Sequence, residues 1–190
     1  MKKLFYFSIV FLFVLACIPI SSYSQEKPIV LGAPLATAFL YGWDAERGIK
    51  LAVDEINAAG GVAVGGKKRP FKVEVIDTRD LEPGVPVADA LLAVEKLILE
   101  KKADFIVGGP VRSEAALAAM DLLNKHKKIS ILTTGVLTPA YSKRIAENYN
   151  KYKYCFRNSS EVPPMMGDFM ALLEDLHKTQ GFNKAYIMVQ

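Results

Sequence analysis

The chain has 190 residues, 24 of them Lys or Arg and 20 of them Asp or Glu, which gives a formal net charge of +4. Lys2 and Lys3 lie in an export-type N-terminal segment, and without them 22 basic side chains face 20 acidic ones, a net charge of +2. This excess is too small for the clustered basic surface of a nucleic-acid-binding protein, and two cysteines are too few for a disulfide-stapled scaffold.

The N-terminal segment has the composition of an export signal. Lys2 and Lys3 form a short basic region, residues 4–20 form an apolar run, and Ser22 and Ser24 are small residues where a signal peptidase reads the chain. In helical form this run spans about 25 Å, which is shorter than the roughly 30 Å core of a bilayer, so a retained membrane anchor is the weaker interpretation. We predict an extracytoplasmic protein.

The same segment contains a second processing route. Residues 14–17 (VLAC) resemble a bacterial lipobox, in which Cys17 is lipidated and becomes the mature N-terminus. Residues 18–20 continue the apolar run, whereas lipoproteins usually turn polar after this cysteine. Cleavage after Ser24 and lipidation of Cys17 both stay open, and the protein is then either freely periplasmic or lipid-anchored.

From residue 28 the chain alternates apolar runs with amphipathic segments. Strands are predicted at residues 29–31, 71–77, 105–107, 129–133, 153–157 and 185–189. Helices are predicted at residues 43–59, 86–102, 113–124 and 163–176. Residues 141–153 are polar and contain few aliphatic side chains, which predicts an irregular surface connection. Successive strand–helix units imply right-handed crossovers, and hence an α/β fold with a doubly wound parallel sheet.

Motifs for catalysis or cofactor binding are absent from the sequence. Residues 61–68 (GVAVGGKK) approach a phosphate-binding loop, but Lys68 replaces the magnesium-binding hydroxyl and the segment joins a helix to a strand, so we interpret it as a glycine-rich turn. His126 and His177 have no partners at metal-ligand spacing. Ser113 lacks the glycine-flanked elbow of a hydrolase. We therefore expect a protein that is not an enzyme and needs no metal or other cofactor.

Three loops rich in glycine, proline and hydroxyl groups follow predicted strands, at residues 32–42, 108–114 and 133–139. The carboxyl ends of parallel strands meet at one edge of the sheet, where ligands bind. The second loop enters a helix N-terminus, whose free N–H groups suit a carboxylate. Taken singly, each loop is also explained by turns and helix caps, with Ser113 as a cap. The three together favour a binding site.

Five segments match the pattern of one known family, in the family's order. They are residues 29–42, 48–61, 105–113, 134–139 and 154–157, and the stretch AVDEINAAGG at the end of the second is the most specific. These segments resemble the periplasmic leucine/isoleucine/valine-binding proteins, which are the solute receptors of ABC importers.

The resemblance implies a type I periplasmic-binding fold, in which two lobes close on a ligand. Residues 1–24 are then the signal peptide, or a lipoprotein signal that ends before Cys17. Residues 25–157 form most of the first lobe, and residues 158–190 begin the second lobe. We accordingly expect a chain truncated at the start of lobe two, without the other half of the cleft.

Roles for six residues follow from the same resemblance. Tyr41 covers the ligand side chain, and Ser113, with Arg112 beside it, takes the ligand carboxylate. In the third loop Gly135 and Val136 match the family, but Leu137 stands where the family has a threonine that binds the ligand's α-amino and carboxylate groups. The implied ligand is a small carboxylate-bearing metabolite, either a branched-chain or other amino acid or a different carboxylate-bearing solute.

The implied partner is a membrane ABC permease that docks on the closed form, and we expect the complete protein to be a monomer. Two other classes stay open. A ligand-sensing ectodomain of a membrane receptor shares the fold and differs by a transmembrane helix beyond residue 190. An exported α/β enzyme needs an acid, base or nucleophile constellation, which the sequence does not contain in this stretch.

Overall fold

The computed structural model describes residues 26–186. The export signal, the cleavage site at Ser24 and the lipidation site at Cys17 lie outside the described residues, as do residues 187–189 of the last predicted strand. The described elements are β1 (Ile29–Leu35), α1 (Leu40–Ala58), β2 (Val62–Val64), β3 (Lys67–Arg69), β4 (Phe71–Asp77), α2 (Val87–Leu99), β5 (Phe105–Gly108), α3 (Ser113–His126), β6 (Ser130–Leu132), α4 (Ala140–Glu147), α5 (Tyr149–Tyr152), β7 (Cys155–Arg157) and α6 (Val162–Gln180).

Five strands form a parallel sheet in the order β4-β1-β5-β6-β7. The chain moves from β1 outward to β4 and then returns past β1 to β5. Because right-handed crossovers in opposite directions place their helices on opposite faces, α1 and α2 cover different faces of the sheet. The predicted doubly wound α/β fold is confirmed, and its switch point lies between β1 and β5.

The main core lies between the sheet and the layer formed by α2 and α3, which pack against each other. Small side chains on α3, such as Ala116 and Ala119, let this helix approach closely, and larger side chains fill the remaining space. The buried members of this core are Val94, Leu97, Ile98, Ala103, Ile106, Ala116, Ala119, Met120, Leu123, Leu132, Val136, Tyr141, Tyr152 and Cys155.

The opposite face of β5, β6 and β7 carries exposed apolar side chains. Phe105, Ile131 and Phe156 are all exposed, and Ile131 is paired directly with Phe156 across β6 and β7. Their strand neighbours Ile106 and Leu132 are buried, as the alternation of side chains along a strand requires. Among the described helices, none combines the length and the apolar character that a membrane crossing requires.

Residues 141–153 do not form the irregular connection that the sequence predicts. All of them except Asn148 and Lys153 belong to α4 and α5, and Tyr141 is only 1% exposed. Tyr152 is buried as well and donates a hydrogen bond from its hydroxyl to Asp121 on α3 at 3.1 Å. The buried stripe of these helices is made mainly by tyrosines, so a search for periodic aliphatic residues misses it.

The glycine-rich segment 61–68 is more regular than predicted. It forms the antiparallel hairpin β2–β3, with Gly65 and Gly66 at its turn in the left-handed region, at φ 59° and 80°. This conformation at both turn positions is typical of a two-residue hairpin. The last predicted strand is not seen where the structure describes it, because Ala185 and Tyr186 lie in no strand.

Two glycines of α1 provide a matched test of packing. A Cβ atom on Gly42 would lie 2.1 Å from the carbonyl oxygen of Ala36, whereas a Cβ on Gly48 would meet nothing within 4 Å. We expect Gly42→Ala to lower the free energy of unfolding by about 1–3 kcal/mol, the usual range for overpacking. Gly48→Ala should instead raise it by up to about 1 kcal/mol, because alanine favours helix. Urea unfolding followed by circular dichroism measures both, and equal effects would contradict the packing argument.

Candidate ligand-binding site

A cavity of about 430 Å³ opens where the loops after β1, β5 and β6 come together. The loops meet there because their strands are parallel and therefore end at the same edge of the sheet. The lining residues are Tyr41, Leu81, Val111, Arg112, Ser113, Gly135, Val136, Leu137 and Met165. The structure thus brings all six residues singled out from the sequence to one cavity, and it adds Leu81, Val111 and Met165.

The second loop reaches the cavity by passing very close to β1. A Cβ atom on Gly109 would lie 2.3 Å from the carbonyl oxygen of Pro34, so a larger residue would push the loop outward. Helix α3 begins at Ser113, with Arg112 as the N-cap residue in an extended conformation, and no side chain caps this end. Ser113 is therefore not the side-chain cap considered above, since it is already the first helical residue.

The first turn of α3 presents backbone donors to the cavity. The N–H groups of Ser113, Glu114 and Ala115 have no partners within the helix, as at any helix N-terminus. The hydroxyl of Ser113 lies at the same end, where the partial positive charge of the helix is greatest. This combination of donors is suited to an anionic group such as a carboxylate.

A buried carboxylate that the sequence analysis missed, that of Asp80, holds the second loop in place. Asp80 is 0% exposed, and its carboxylate accepts hydrogen bonds from the N–H groups of Val111 at 2.9 Å and Arg112 at 2.7 Å. It also accepts a bond from the hydroxyl of Thr78 at 2.5 Å. The only sequence signal for Asp80 was its place in the polar loop after the second predicted strand. The partners of Asp80 are 31 and 32 residues away along the chain.

The guanidinium of Arg112 is fixed on the wall of the cavity. Both of its Nη atoms donate to the carbonyl oxygen of Val85 at 3.2 Å. Its Nε is buried and has no hydrogen-bond partner among the described residues, and the nearest carboxylate oxygen, that of Glu114, lies 3.7 Å away. Arg112 therefore adds a positive charge, with one unsatisfied donor, next to Ser113.

The third loop is bound to the second. The N–H group of Val136 donates to the carbonyl oxygen of Val111 at 3.0 Å, and a Cβ on Gly135 would lie 2.5 Å from that same oxygen. Gly135 and Val136 both have left-handed backbone conformations, at φ 59° and 53°. Such a conformation is strained for a β-branched residue like Val136. Leu137 follows with a side chain that is 40% exposed at the cavity.

Tyr41 contributes the rim of the cavity from the start of α1. Its side chain is 69% exposed, so the ring is free to contact a ligand. The preceding turn is held by the N–H of Thr37, which donates to the carboxylate of Asp77 at 3.1 Å. One turn further along α1, the guanidinium of Arg47 lies 3.6 Å from the centroid of the Trp43 ring, a cation–π contact.

The cavity lining carries a single positive charge and no negative charge. Arg112 is the one charged residue of the lining, and most other lining residues are apolar. Within residues 26–186 no group of three or more His, Cys, Asp or Glu side chains is placed to hold a metal ion. The arrangement suits a small molecule with an apolar body and one anionic group.

The chain matches one family model and is similar to several solved structures. A family model described as "Periplasmic binding protein" matches residues 34–189. The structure is similar to a protein from Silicibacter pomeroyi that is named as a branched-chain amino acid ABC transporter, with a TM-score of 0.66, 22% identity, and coverage of 84% of this chain and 38% of the other.

Two further solved structures share the fold. One is a leucine-binding protein from Thermotoga maritima, with a TM-score of 0.54 and 20% identity over 81% of this chain and 37% of the other. The second is a solute-binding protein of an ABC transporter from Rhodopseudomonas palustris in complex with p-hydroxybenzoic acid, with a TM-score of 0.55 and 18% identity over 82% of this chain and 37% of the other. This chain therefore spans less than two fifths of the length of these structures.

Proposed function

Because the chain belongs to the periplasmic binding protein family, we propose that it is the extracytoplasmic solute-binding subunit of an ABC importer and binds a small carboxylate-bearing metabolite. The observation that carries this proposal is the cavity, where Arg112 and the uncapped N-terminus of α3 lie together beside an apolar wall. We propose further that residues 1–24 direct export, that residues 25–157 are most of one lobe, and that residues 158–190 begin a second lobe.

The ligand carboxylate binds at the N-terminus of α3. The hydroxyl of Ser113 and the free N–H groups of the first turn donate to it. The Nε of Arg112 supplies a charged donor that has no hydrogen-bond partner among the described residues, with the Glu114 carboxylate 3.7 Å away. The apolar body of the ligand packs against Val136 and Leu137, and Tyr41 covers its far end. Closure of the second lobe then removes the ligand from water, and a membrane permease recognises the closed monomer.

Two ligand classes fit this arrangement. An amino acid carries an α-ammonium group, and the lining of the cavity includes no carboxylate to pair with it. Leu137 also offers no hydroxyl where the family resemblance leads one to expect a threonine. In the half of the cleft that this chain forms, these two features favour a carboxylate without an ammonium group, such as an aromatic acid, over an amino acid. A partner for an ammonium group would have to come from the second lobe.

Isothermal titration calorimetry of the complete protein tests the proposal with L-leucine and p-hydroxybenzoate. We expect one of them to bind, and we expect p-hydroxybenzoate to bind more tightly. The matched controls are L-leucinamide and p-hydroxybenzamide, which lack the carboxylate and should bind about tenfold more weakly or worse, because a hydrogen-bonded charge is lost. Equal binding of acid and amide would contradict the carboxylate site, and tighter binding of L-leucine would reverse the order of the two ligand classes.

A further inference from the structure

Arg157 is bonded to three separate segments of the chain, although it does not line the cavity. It is the last residue of β7, and its side chain is 6% exposed. Its Nη1 donates to the carbonyl oxygens of Val136 and Thr138, both at 3.0 Å. Its Nη2 donates to the hydroxyl of Ser142 on α4 at 2.5 Å, and it forms an ion pair with Glu161 just before α6.

These contacts join the third loop to the connection that follows β7. Val136 and Thr138 belong to the third loop, which forms part of the cavity wall. Glu161 belongs to residues 158–161, which connect β7 to α6. The start of α6 is tied to the same loop, because the N–H of Val162 donates to the carbonyl oxygen of Leu137 at 3.0 Å. Loop and connection therefore share one anchor.

The third loop needs such an anchor because its backbone is strained. Val136 is held at φ 53°, a conformation that a β-branched residue adopts only when its surroundings fix it. Without the guanidinium, the carbonyl groups of Val136 and Thr138 would lose a charged donor, and the bonds that fix the loop would be fewer. Burial lowers the pKa of the Arg157 guanidinium below its usual value, yet an arginine stays protonated under physiological conditions.

We propose that Arg157 is a positioning residue, which fixes the third loop in its binding conformation and ties it to the connection that leads into α6. The proposal rests on the proposed function in one respect, namely that the loop contacts a ligand. Arg157 does not line the cavity, so we expect it to act on a ligand through the loop. Its loss should loosen the loop first and weaken ligand binding as a consequence.

Arg144 is a matched control within the same part of the chain. It lies on α4, and its Nη1 donates to the carbonyl oxygen of Leu117 on α3 at 2.9 Å. Arg144 thus also joins a guanidinium to a backbone carbonyl, but it is not bonded to the third loop. Arg144→Met removes a structural hydrogen bond of similar kind and leaves the cavity wall in place.

The experiment compares Arg157→Met, Arg157→Lys and Arg144→Met in the complete protein. Hydrogen exchange without added solute, measured by mass spectrometry over residues 133–138, reports the loop directly, because the N–H of Val136 is bonded to Val111 in the folded state. We expect Arg157→Met to speed this exchange about tenfold and Arg144→Met to change it by less than about twofold. Arg157→Lys should lie between, since an ammonium group cannot bridge both carbonyls and Glu161 in the same geometry.

Titration with p-hydroxybenzoate and L-leucine forms the second arm. Arg157→Met should weaken binding of whichever probe binds the wild type by about tenfold, and Arg144→Met should leave it within about twofold. Equal loop exchange in the two Met variants would overturn the positioning role. The exchange measurement tests the positioning role even if neither probe binds the wild type. Failure of both probes to bind would count against the proposed function and not against the positioning role. Should Arg157→Met fail to fold, Arg157→Lys takes its place, and unchanged loop exchange in that variant would overturn the role.

Discussion

Replacement of Asp80 by alanine should lower the free energy of unfolding by about 3 kcal/mol. The carboxylate is fully buried and accepts bonds from two backbone N–H groups of the second loop and from Thr78. After the substitution the N–H groups of Val111 and Arg112 lose their acceptor, and each buried donor without a partner costs about 1–3 kcal/mol. Part of this loss is offset, because a buried charge no longer has to be desolvated.

Asp77 provides the matched control for this prediction. Its carboxylate also accepts bonds from backbone N–H groups, those of Thr37 and Arg79, but it is exposed to solvent. We expect Asp77→Ala to cost about 1 kcal/mol or less, because water replaces the lost acceptor. Urea unfolding of the two variants checks the difference. If Asp77→Ala destabilises the protein as much as Asp80→Ala, burial is not the reason that Asp80 matters.

The second large effect is expected on affinity. Ser113→Ala should weaken binding of p-hydroxybenzoate or L-leucine to the complete protein by more than about tenfold, which corresponds to the roughly 1.5–3 kcal/mol of a hydrogen bond to a charged group. The melting temperature should hardly change, because no side chain caps the start of α3. Calorimetric titration and thermal melting of the same variant separate these two effects.

The opposite result would identify Ser113 as a structural residue. If the melting temperature falls while affinity stays within about twofold, the hydroxyl stabilises the helix start and does not bind the carboxylate. Ser160→Ala is the matched control, since Ser160 is exposed in the connection before α6 and does not line the cavity. It should change neither quantity.

The sequence predicts the sheet and the position of the site well, because both depend on local patterns. A segment that begins with strict alternation of apolar and polar residues predicts a strand at residues 71–77, and β4 has those bounds. Three glycine- and hydroxyl-rich loops after parallel strands must meet at one edge, so the six predicted residues were found together around one cavity. Whether those residues bind a ligand stays a prediction.

Features that depend on distant contacts could not be predicted in this way. The bonds of Asp80 to the second loop span more than 30 residues of chain, and the bonds of Arg157 to the third loop span 19 and 21. No periodicity or spacing rule records such pairs. The helices α4 and α5 were missed for a different reason. Tyrosines form much of their buried side, and the hydroxyl groups of these tyrosines made the segment look polar.

The chain contains a single tryptophan, Trp43, and this gives the protein an optical signal of its own. The indole lies two residues after Tyr41 on α1, with the Arg47 guanidinium stacked on its ring. Tryptophan emission from these 190 residues therefore comes from one place near the rim of the cavity. A solute that rearranges the start of α1 will shift or quench that emission, and the change can be followed in a stopped-flow instrument without any label.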